Sequence, residues 1–138
     1  MGSGFDMRFH RLELAGSTCK FEVDTAATQG AKRKDMAAAN IAELPDVAYV
    51  ECDFVSQSWM DVLTHAGLKT DLPTLVLWEG VSYYLPLEVV ESTLEVIANS
   101  FTAPCAIAFD YFSPRLVEKY RELSTANGEP LICGLEPA

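Results

Sequence analysis

Carboxylate side chains stand at the ends of three apolar, β-prone segments of this chain. These segments are Phe21–Asp24, Val50–Phe54 and Pro73–Glu79. The carboxyl ends of parallel strands lie along one edge of a sheet, and open α/β sheets bind their ligands outside that edge. We therefore expect the three acidic strand ends to belong to one ligand site.

The first acidic end has a glycine turn upstream of it. Gly2 and Gly4 enclose one residue, and a glycine lets the backbone approach a ligand without interference from a Cβ atom. Asp24 follows about twenty residues later, where a carboxylate usually accepts hydrogen bonds from ribose hydroxyls. The alternative is that Asp24 only stabilises the N-terminus of the next helix. Met7 stands where a dinucleotide site has its third glycine, which favours a ligand without phosphates.

The other two ends offer different chemistry. Asp53 and Phe54 together suit a purine, since the Asp53 carboxylate can accept from the purine amino group while the Phe54 ring packs on the purine face. The alternative is a solvated loop acid beside a core aromatic. We expect Glu79 to be partly buried after its apolar strand, and a buried carboxylate needs a partner. The partner of Glu79 would be a cationic ligand, Arg8 or Arg11.

The remaining charged residues favour structural roles. Glu22 shares a strand face with Asp24 but lies deeper, where we expect it to pair with a lysine. The basic run Lys32–Lys34 is expected on a solvated helix face, and His10 and His65 at the surface. No group of residues has the spacing of a metal site, and no catalytic residue is assigned.

Strand and helix signals alternate along the chain. Thr25, Ser56 and Ser113 have the chemistry of helix N-caps, while Gly67 and Gly128 suit helix C-terminal ends. The predicted strands are Cys19–Asp24, Val47–Phe54, Thr74–Glu79 and Cys105–Tyr111. The predicted helices are Arg8–Leu14, Ala26–Asn40, a segment from Ser56 to Ala66, Leu87–Ser100 and a segment from Ser113 to Asn127.

This alternation predicts an α/β fold with a doubly wound, mostly parallel sheet and helices on both faces. No linker or repeat interrupts it, so residues 1–138 are expected to form a single partial domain. The glycine turn has no strand before it, and the segment from Leu131 stops before any closing strand. We therefore expect an incomplete sheet that lacks its first strand and its C-terminal strands.

Composition limits the partners. Of 138 residues, 49% are hydrophobic, and the formal net charge is −10. Such a charge argues against nucleic acid or an anionic membrane as a partner. The four cysteines show no CxxC pairing, and Cys19, Cys52 and Cys105, which lie in or beside apolar strand runs, are expected to be buried and reduced. With no signal peptide or membrane-length apolar run in the sequence, we expect a cytoplasmic protein.

Read in order, these motifs resemble the leucine carboxyl methyltransferase family, and its bacterial branch most. The likeness is carried by residues 2–8, by Phe21–Asp24 with Ala27–Gln29 and Lys32, and by Trp78–Val81 with Tyr84 and Leu85; it continues through Phe109–Tyr111 and Gly128–Pro130. Members of that family are class I S-adenosylmethionine-dependent O-methyltransferases with a Rossmann-like sheet.

The resemblance implies S-adenosylmethionine as cofactor and assigns its contacts. Gly2 and Gly4 would line its methionine end, and Asp24 would accept from its ribose. The adenine would contact Asp53 and Phe54, while Glu79 would lie near the methionine amino group. Methyl transfer is an in-line displacement from the sulfonium, so the protein mainly positions the reactants and needs no covalent nucleophile.

The chain departs from the family pattern at its N-terminus. The resemblance places the family's basic residues that bind the cofactor carboxylate before the glycine turn, so we expect residues 1–138 to lack them. The resemblance leaves open whether the methyl acceptor is a small molecule or a protein C-terminus, and whether a carboxylate or a hydroxyl is methylated. The oligomeric state is unknown. Two alternatives remain: a catalytically silent fragment or interaction module of the same fold, and a Rossmann-type nucleotide-binding oxidoreductase.

Overall fold

A computed structural model describes residues 1–136, and helices and parallel strands alternate along it. The chain divides into two compact units, Met1–Lys69 and Thr70–Ala138. The first contains α1 (Arg8–Arg11), β1 (Lys20–Asp24), α2 (Ala26–Ala38), β2 (Val47–Glu51) and α3 (Trp59–His65). The second contains β3 (Thr74–Trp78), a 3-10 helix (Ser82–Tyr84), α4 (Leu87–Ser100), β4 (Cys105–Phe109) and α5 (Pro114–Ala126).

The sheet of the first unit consists of β1 and β2, which pair in parallel. Lys20 lies opposite Val47 at one end, and Asp24 opposite Glu51 at the other. The ladder continues one step further, because the Cys52 amide donates to the Asp24 carbonyl at 2.8 Å. The buried apolar side chains of this unit are Val23, Met36, Val47, Val50, Cys52, Phe54, Trp59 and Leu63.

Helix starts in the first unit follow local capping chemistry. Thr25 caps α2 as predicted, and its hydroxyl accepts from the Thr28 amide. The predicted cap at Ser56 is wrong, because Ser58 caps α3 and accepts from the Asp61 amide. The Ser56 hydroxyl instead donates to the Asp53 carboxylate.

The sheet of the second unit is the parallel pair β3 and β4. Thr74 lies opposite Cys105, and Trp78 opposite Phe109. The rings of that last pair stack with centroids 6.1 Å apart, and Trp78 is fully buried. Leu75 on the other face of β3 is 64% exposed. The face of β3 that carries Leu75 is therefore only partly covered by residues 1–136.

The helices of the second unit match their predicted positions closely. Helix α4 spans Leu87–Ser100 as predicted, and α5 begins after Ser113, whose hydroxyl accepts from the Leu116 amide. Gly128 ends α5 with a φ of 79°, and Gly67 follows α3 in the first unit with a φ of 101°. Glycine takes such left-handed angles without a Cβ penalty, so both predicted C-terminal ends are confirmed.

The α/β class with parallel strands is confirmed, with the strands in two small sheets. Three strands are shorter than predicted at their carboxyl ends, because the chain turns away after Glu51, Trp78 and Phe109. Of the cysteines expected to be buried, Cys52 is buried, Cys105 is half-buried and Cys19 is exposed. None of the helices among residues 1–136 has the length and apolarity needed to span a bilayer.

Candidate nucleoside site at the end of the first strand

The glycine turn, residues 2–6, meets the carboxyl end of β1. Gly2 and Gly4 have φ values of 63° and 47°, in the region that glycine tolerates best. The Gly4 amide donates to Oδ2 of Asp24 at 2.7 Å, and the Thr25 amide donates to Oδ1 at 2.7 Å. Two features that lie twenty positions apart are thus joined by a direct hydrogen bond.

Backbone contacts hold the turn at this position. The Ser3 amide donates to the carbonyl of Val23, the residue before the strand end, at 3.0 Å. The turn closes on itself, since the Asp6 amide donates to the Ser3 carbonyl at 2.9 Å. The Asp6 carboxylate then accepts from the Arg8 amide at 2.8 Å and forms an ion pair with the Arg8 guanidinium.

The arrangement retains capacity for a ligand. An ionised carboxylate offers about four lone-pair sites, and the two backbone amides use two of those of Asp24, which is half-buried. A Cβ atom built on Gly4 would meet no atom within 4 Å, so the space beside the turn is open. The Ser3 hydroxyl is buried and has no hydrogen-bond partner within residues 1–136. This donor set suits a ligand that carries hydroxyl groups.

A buried ion pair lies beneath the turn. Lys32 of α2 is 1% exposed, and its Nζ contacts the carboxylate of Glu22, which is 3% exposed, and also the Asp6 carbonyl. Glu22 was expected to pair with a lysine, and it does. The placement of Lys32 on a solvated helix face was wrong, because its buried side chain reaches from α2 to Glu22 of β1 and to the Asp6 carbonyl. Arg33 and Lys34, its neighbours in sequence, remain partly or fully exposed.

Asp53 and Phe54 take positions different from those expected. Strand β2 ends at Glu51, so Asp53 lies in the following turn, where it is exposed. The Ser56 hydroxyl donates to Oδ2 of Asp53 at 2.7 Å, and the Val55 amide donates to Oδ1 at 3.0 Å. These hydrogen bonds lower the pKa of the Asp53 carboxyl below its usual range. Phe54 is only 9% exposed. The adenine contact of both residues stays a prediction.

Glu79 belongs to the second unit and is exposed, so the expectation of partial burial was wrong. Strand β3 ends one residue earlier at Trp78, and Gly80 turns the chain with a φ of 74°. The Gly80 amide donates to Oδ1 of Asp110 at 2.8 Å. Because Glu79 follows the last strand residue, its side chain does not share the burial of Trp78. Its contact with a cofactor stays a prediction.

An aromatic cluster follows the strand ends of the second unit. The Tyr83 ring stacks on Phe112 with centroids 4.3 Å apart, and the Tyr84 ring meets the Tyr83 edge at 4.7 Å. Burial, with a smaller contribution from the Asp110 charge, raises the pKa of Tyr83, so its hydroxyl stays protonated at neutral pH. Asp110 also accepts through its carbonyl from the Ser82 hydroxyl at 2.7 Å.

Three residues that organise these loops were not assigned that role from the sequence. Asp6 and Lys32 shape the glycine turn, and Asp110 shapes the turn after β3. Their signal in the sequence is weak, because each acts on a partner many positions away. Among residues 1–136, no group of three or more His, Cys, Asp or Glu side chains could hold a metal ion.

The sequence of this chain is similar to those of known proteins of one family. Residues 1–98 match the family described as leucine carboxyl methyltransferase. A Bacillus subtilis protein named "Putative S-adenosyl-L-methionine-dependent methyltransferase YktD" is 30% identical over 141 residues, which cover 95% of this chain and 46% of that protein. Similarly named proteins of Frankia alni and Mycobacterium marinum are each 30% identical, and cover 88% and 89% of this chain. The chain spans less than half the length of these relatives.

Proposed function

The chain belongs to the leucine carboxyl methyltransferase family, and from that premise we propose that it contributes the cofactor site of an S-adenosylmethionine-dependent O-methyltransferase. The observation that carries the proposal is the hydrogen bond between the Gly4 amide and the Asp24 carboxylate. It joins a glycine turn to a strand-end acid, the pairing that α/β proteins use for nucleoside ligands. The names of the three relatives support the same cofactor.

In this proposal Asp24 binds the ribose. The lone pairs of Asp24 that its backbone partners leave unused accept from the two ribose hydroxyls, and the unpaired Ser3 hydroxyl lies in the same turn. Gly2 and Gly4 allow the methionine part of the ligand to pass close to the backbone. Asp53, Phe54 and Glu79 are proposed contacts for the adenine and the methionine amino group.

S-adenosylmethionine supplies a methyl group on a sulfonium, which an acceptor oxygen can displace in line. The protein therefore has to hold the two reactants in the correct geometry and exclude water, and it needs no covalent nucleophile. Asp24 contributes orientation, since a carboxylate fixed by two backbone amides presents its remaining lone pairs in set directions. The glycine turn contributes a close, uncharged wall.

The methyl acceptor is proposed to be a carboxylate or a hydroxyl, of either a small molecule or a protein C-terminus. The family description supports the carboxylate class. Residues 1–138 are proposed to be part of one larger methyltransferase domain, because the matched relatives are more than twice as long as the region they share with this chain. A cytoplasmic location is proposed from the four free cysteines.

Calorimetric titration with S-adenosylhomocysteine tests the proposal. The titration is run on this chain and on a form extended at its N-terminus, with NADH as the second ligand. We expect S-adenosylhomocysteine to bind the extended form and NADH to bind neither. Binding of NADH instead would favour a Rossmann-type oxidoreductase. A folded extended form that binds neither ligand would favour a silent interaction module and overturn the proposal.

A further inference from the structure

Lys32 is unusual among the basic residues of α2 because its charge is buried. Its side chain is 2% exposed and that of Glu22 4%, and the two groups form an ion pair. A buried ion pair adds little stability over apolar side chains of similar volume, because both charges lose their hydration. The pair therefore needs a reason beyond stability.

The second contact of Lys32 supplies that reason. Its Nζ donates to the carbonyl oxygen of Asp6, the residue that closes the glycine turn. Within residues 1–136, several contacts hold the turn from outside: the Val23 carbonyl accepts from Ser3, the Asp24 carboxylate accepts from Gly4, Arg8 of α1 pairs with the Asp6 carboxylate, and the Lys32 ammonium donates to the Asp6 carbonyl. The first two contacts come from β1, and the Lys32 contact comes from α2. It fixes the end of the turn that β1 does not hold.

The ion pair with Glu22 holds the Lys32 side chain where it can reach the Asp6 carbonyl. Glu22 lies two positions before Asp24, so both carboxylates are on the same face of β1. The ion pair holds the Lys32 ammonium under the turn, where a flexible lysine would otherwise extend into solvent. Gln29 reinforces the arrangement, since its side-chain amide donates to the Glu22 carbonyl at 3.2 Å.

We propose that Lys32 is a positioning residue: it holds the glycine turn in the shape that receives the cofactor, through its contact with Asp6, and it touches no cofactor atom itself. The inference rests on the proposed function for its consequence in binding. Its structural part, that the shape of the turn depends on the Lys32 donor, holds or fails without any ligand.

The test replaces the whole ion pair so that the fold survives. In Glu22→Leu/Lys32→Met both buried charges are exchanged for apolar groups of similar size, which cores tolerate well. Lys34→Met is the matched control, because it removes an exposed lysine from the same helix. Circular dichroism melting establishes that both variants fold. Amide hydrogen exchange of residues 3–6 in the unliganded chain then reports the turn, with β1 and β2 as internal references.

We expect the double variant to exchange the amides of residues 3–6 at least tenfold faster, while those of the two strands keep their protection. The Lys34→Met variant should match the wild type throughout. In the extended form, the double variant should bind S-adenosylhomocysteine about tenfold more weakly, and Lys32→Arg, which keeps a cationic donor, should recover part of the loss.

The outcomes separate the two claims. Unchanged exchange at residues 3–6 in a folded double variant would overturn the positioning role. Faster exchange with wild-type affinity would also overturn it, because the shape of the turn would not matter for binding. Faster exchange in a protein whose wild type binds no S-adenosylhomocysteine would leave the role of Lys32 in the turn established and reject the proposed function instead.

Discussion

The two units place their strand-end acids in opposite surroundings. In the first unit, Asp24 is the last residue of β1 and is half-buried, with both oxygens held by backbone amides. In the second, Glu79 and Asp110 each follow the last strand residue by one position, and both are exposed. A displacement of one residue past the strand end thus accompanies the change from a half-buried carboxylate to exposed ones, although Asp110 still accepts from the Gly80 amide.

The two units also differ in what they bury near their strand ends. The first unit buries an ion pair, Glu22 with Lys32, whose lysine contacts the glycine turn. The second unit packs aromatic rings near its strand ends, with Trp78 on Phe109 and Tyr83 on Phe112. Buried charges fix geometry through directional contacts, whereas stacked rings mainly contribute buried apolar area. We therefore expect the first unit to be the more sensitive to single charge changes.

The largest expected effect is the loss of Lys32 alone. Lys32→Met leaves the Glu22 carboxylate buried without its cation, which should destabilise the first unit by about 3–5 kcal/mol. Urea unfolding measures it, with Trp59 fluorescence as the probe in a Trp78→Phe background, because Trp59 is the buried tryptophan of this unit. Lys34→Met is the control. A loss of stability below about 1 kcal/mol is typical of exposed ion pairs. It would contradict the expectation that the first unit is the more sensitive to single charge changes.

The next effect concerns Asp24. Asp24→Ala removes the acceptor of the Gly4 amide and of the proposed ribose hydroxyls, and should weaken S-adenosylhomocysteine binding by about 1–3 kcal/mol. Calorimetry on the extended form measures it. Asp46→Ala removes an equal charge from the residue before β2 and should leave affinity unchanged. Wild-type affinity in Asp24→Ala would remove this residue from the site.

A smaller effect is expected at Glu79, because exposed charge contacts contribute only up to about 1 kcal/mol. Glu79→Gln in the extended form should lower cofactor affinity and methyl transfer together within that limit. Tritium transfer from labelled cofactor and calorimetry measure the two quantities, with the exposed Glu88→Gln as control. A loss well above this limit would mean that Glu79 is desolvated in the complex, so that the difference between the units disappears on binding.

The smallest effect is the titration of Asp53. The Ser56 hydroxyl holds the pKa of the Asp53 carboxyl below its usual range, so the ionised form favours the folded state. This contribution is complete above the ordinary aspartate pKa of about 3.9 and is lost as the pH falls through the lower folded value. A carboxyl NMR titration should show Ser56→Ala raising the midpoint and Ser58→Ala leaving it unchanged. An equal midpoint in all three proteins would contradict this cause.

Local patterns predicted most of the fold. The helix span Leu87–Ser100, the caps at Thr25 and Ser113 and the glycine ends at Gly67 and Gly128 follow from residues within a few positions of one another. Strand ends were predicted less well, because apolar character continues past Glu51 and Phe109 although the chain has already turned. A strand stops where its partner stops, and that is a property of pairing rather than of the segment.

Some features of the candidate site likewise follow from the sequence, and others depend on the tertiary structure. The sequence by itself determined that Gly2, Gly4, Asp24 and Glu79 stand at turns and strand ends, since residue type and spacing carry that information. Only the tertiary structure decided that Gly4 donates to Asp24, that Lys32 is buried under the turn and that Glu79 is exposed. Each of these outcomes depends on long-range contacts or on where a strand ends. The free energy of burying a charge is set by such partners, and a linear pattern does not contain them.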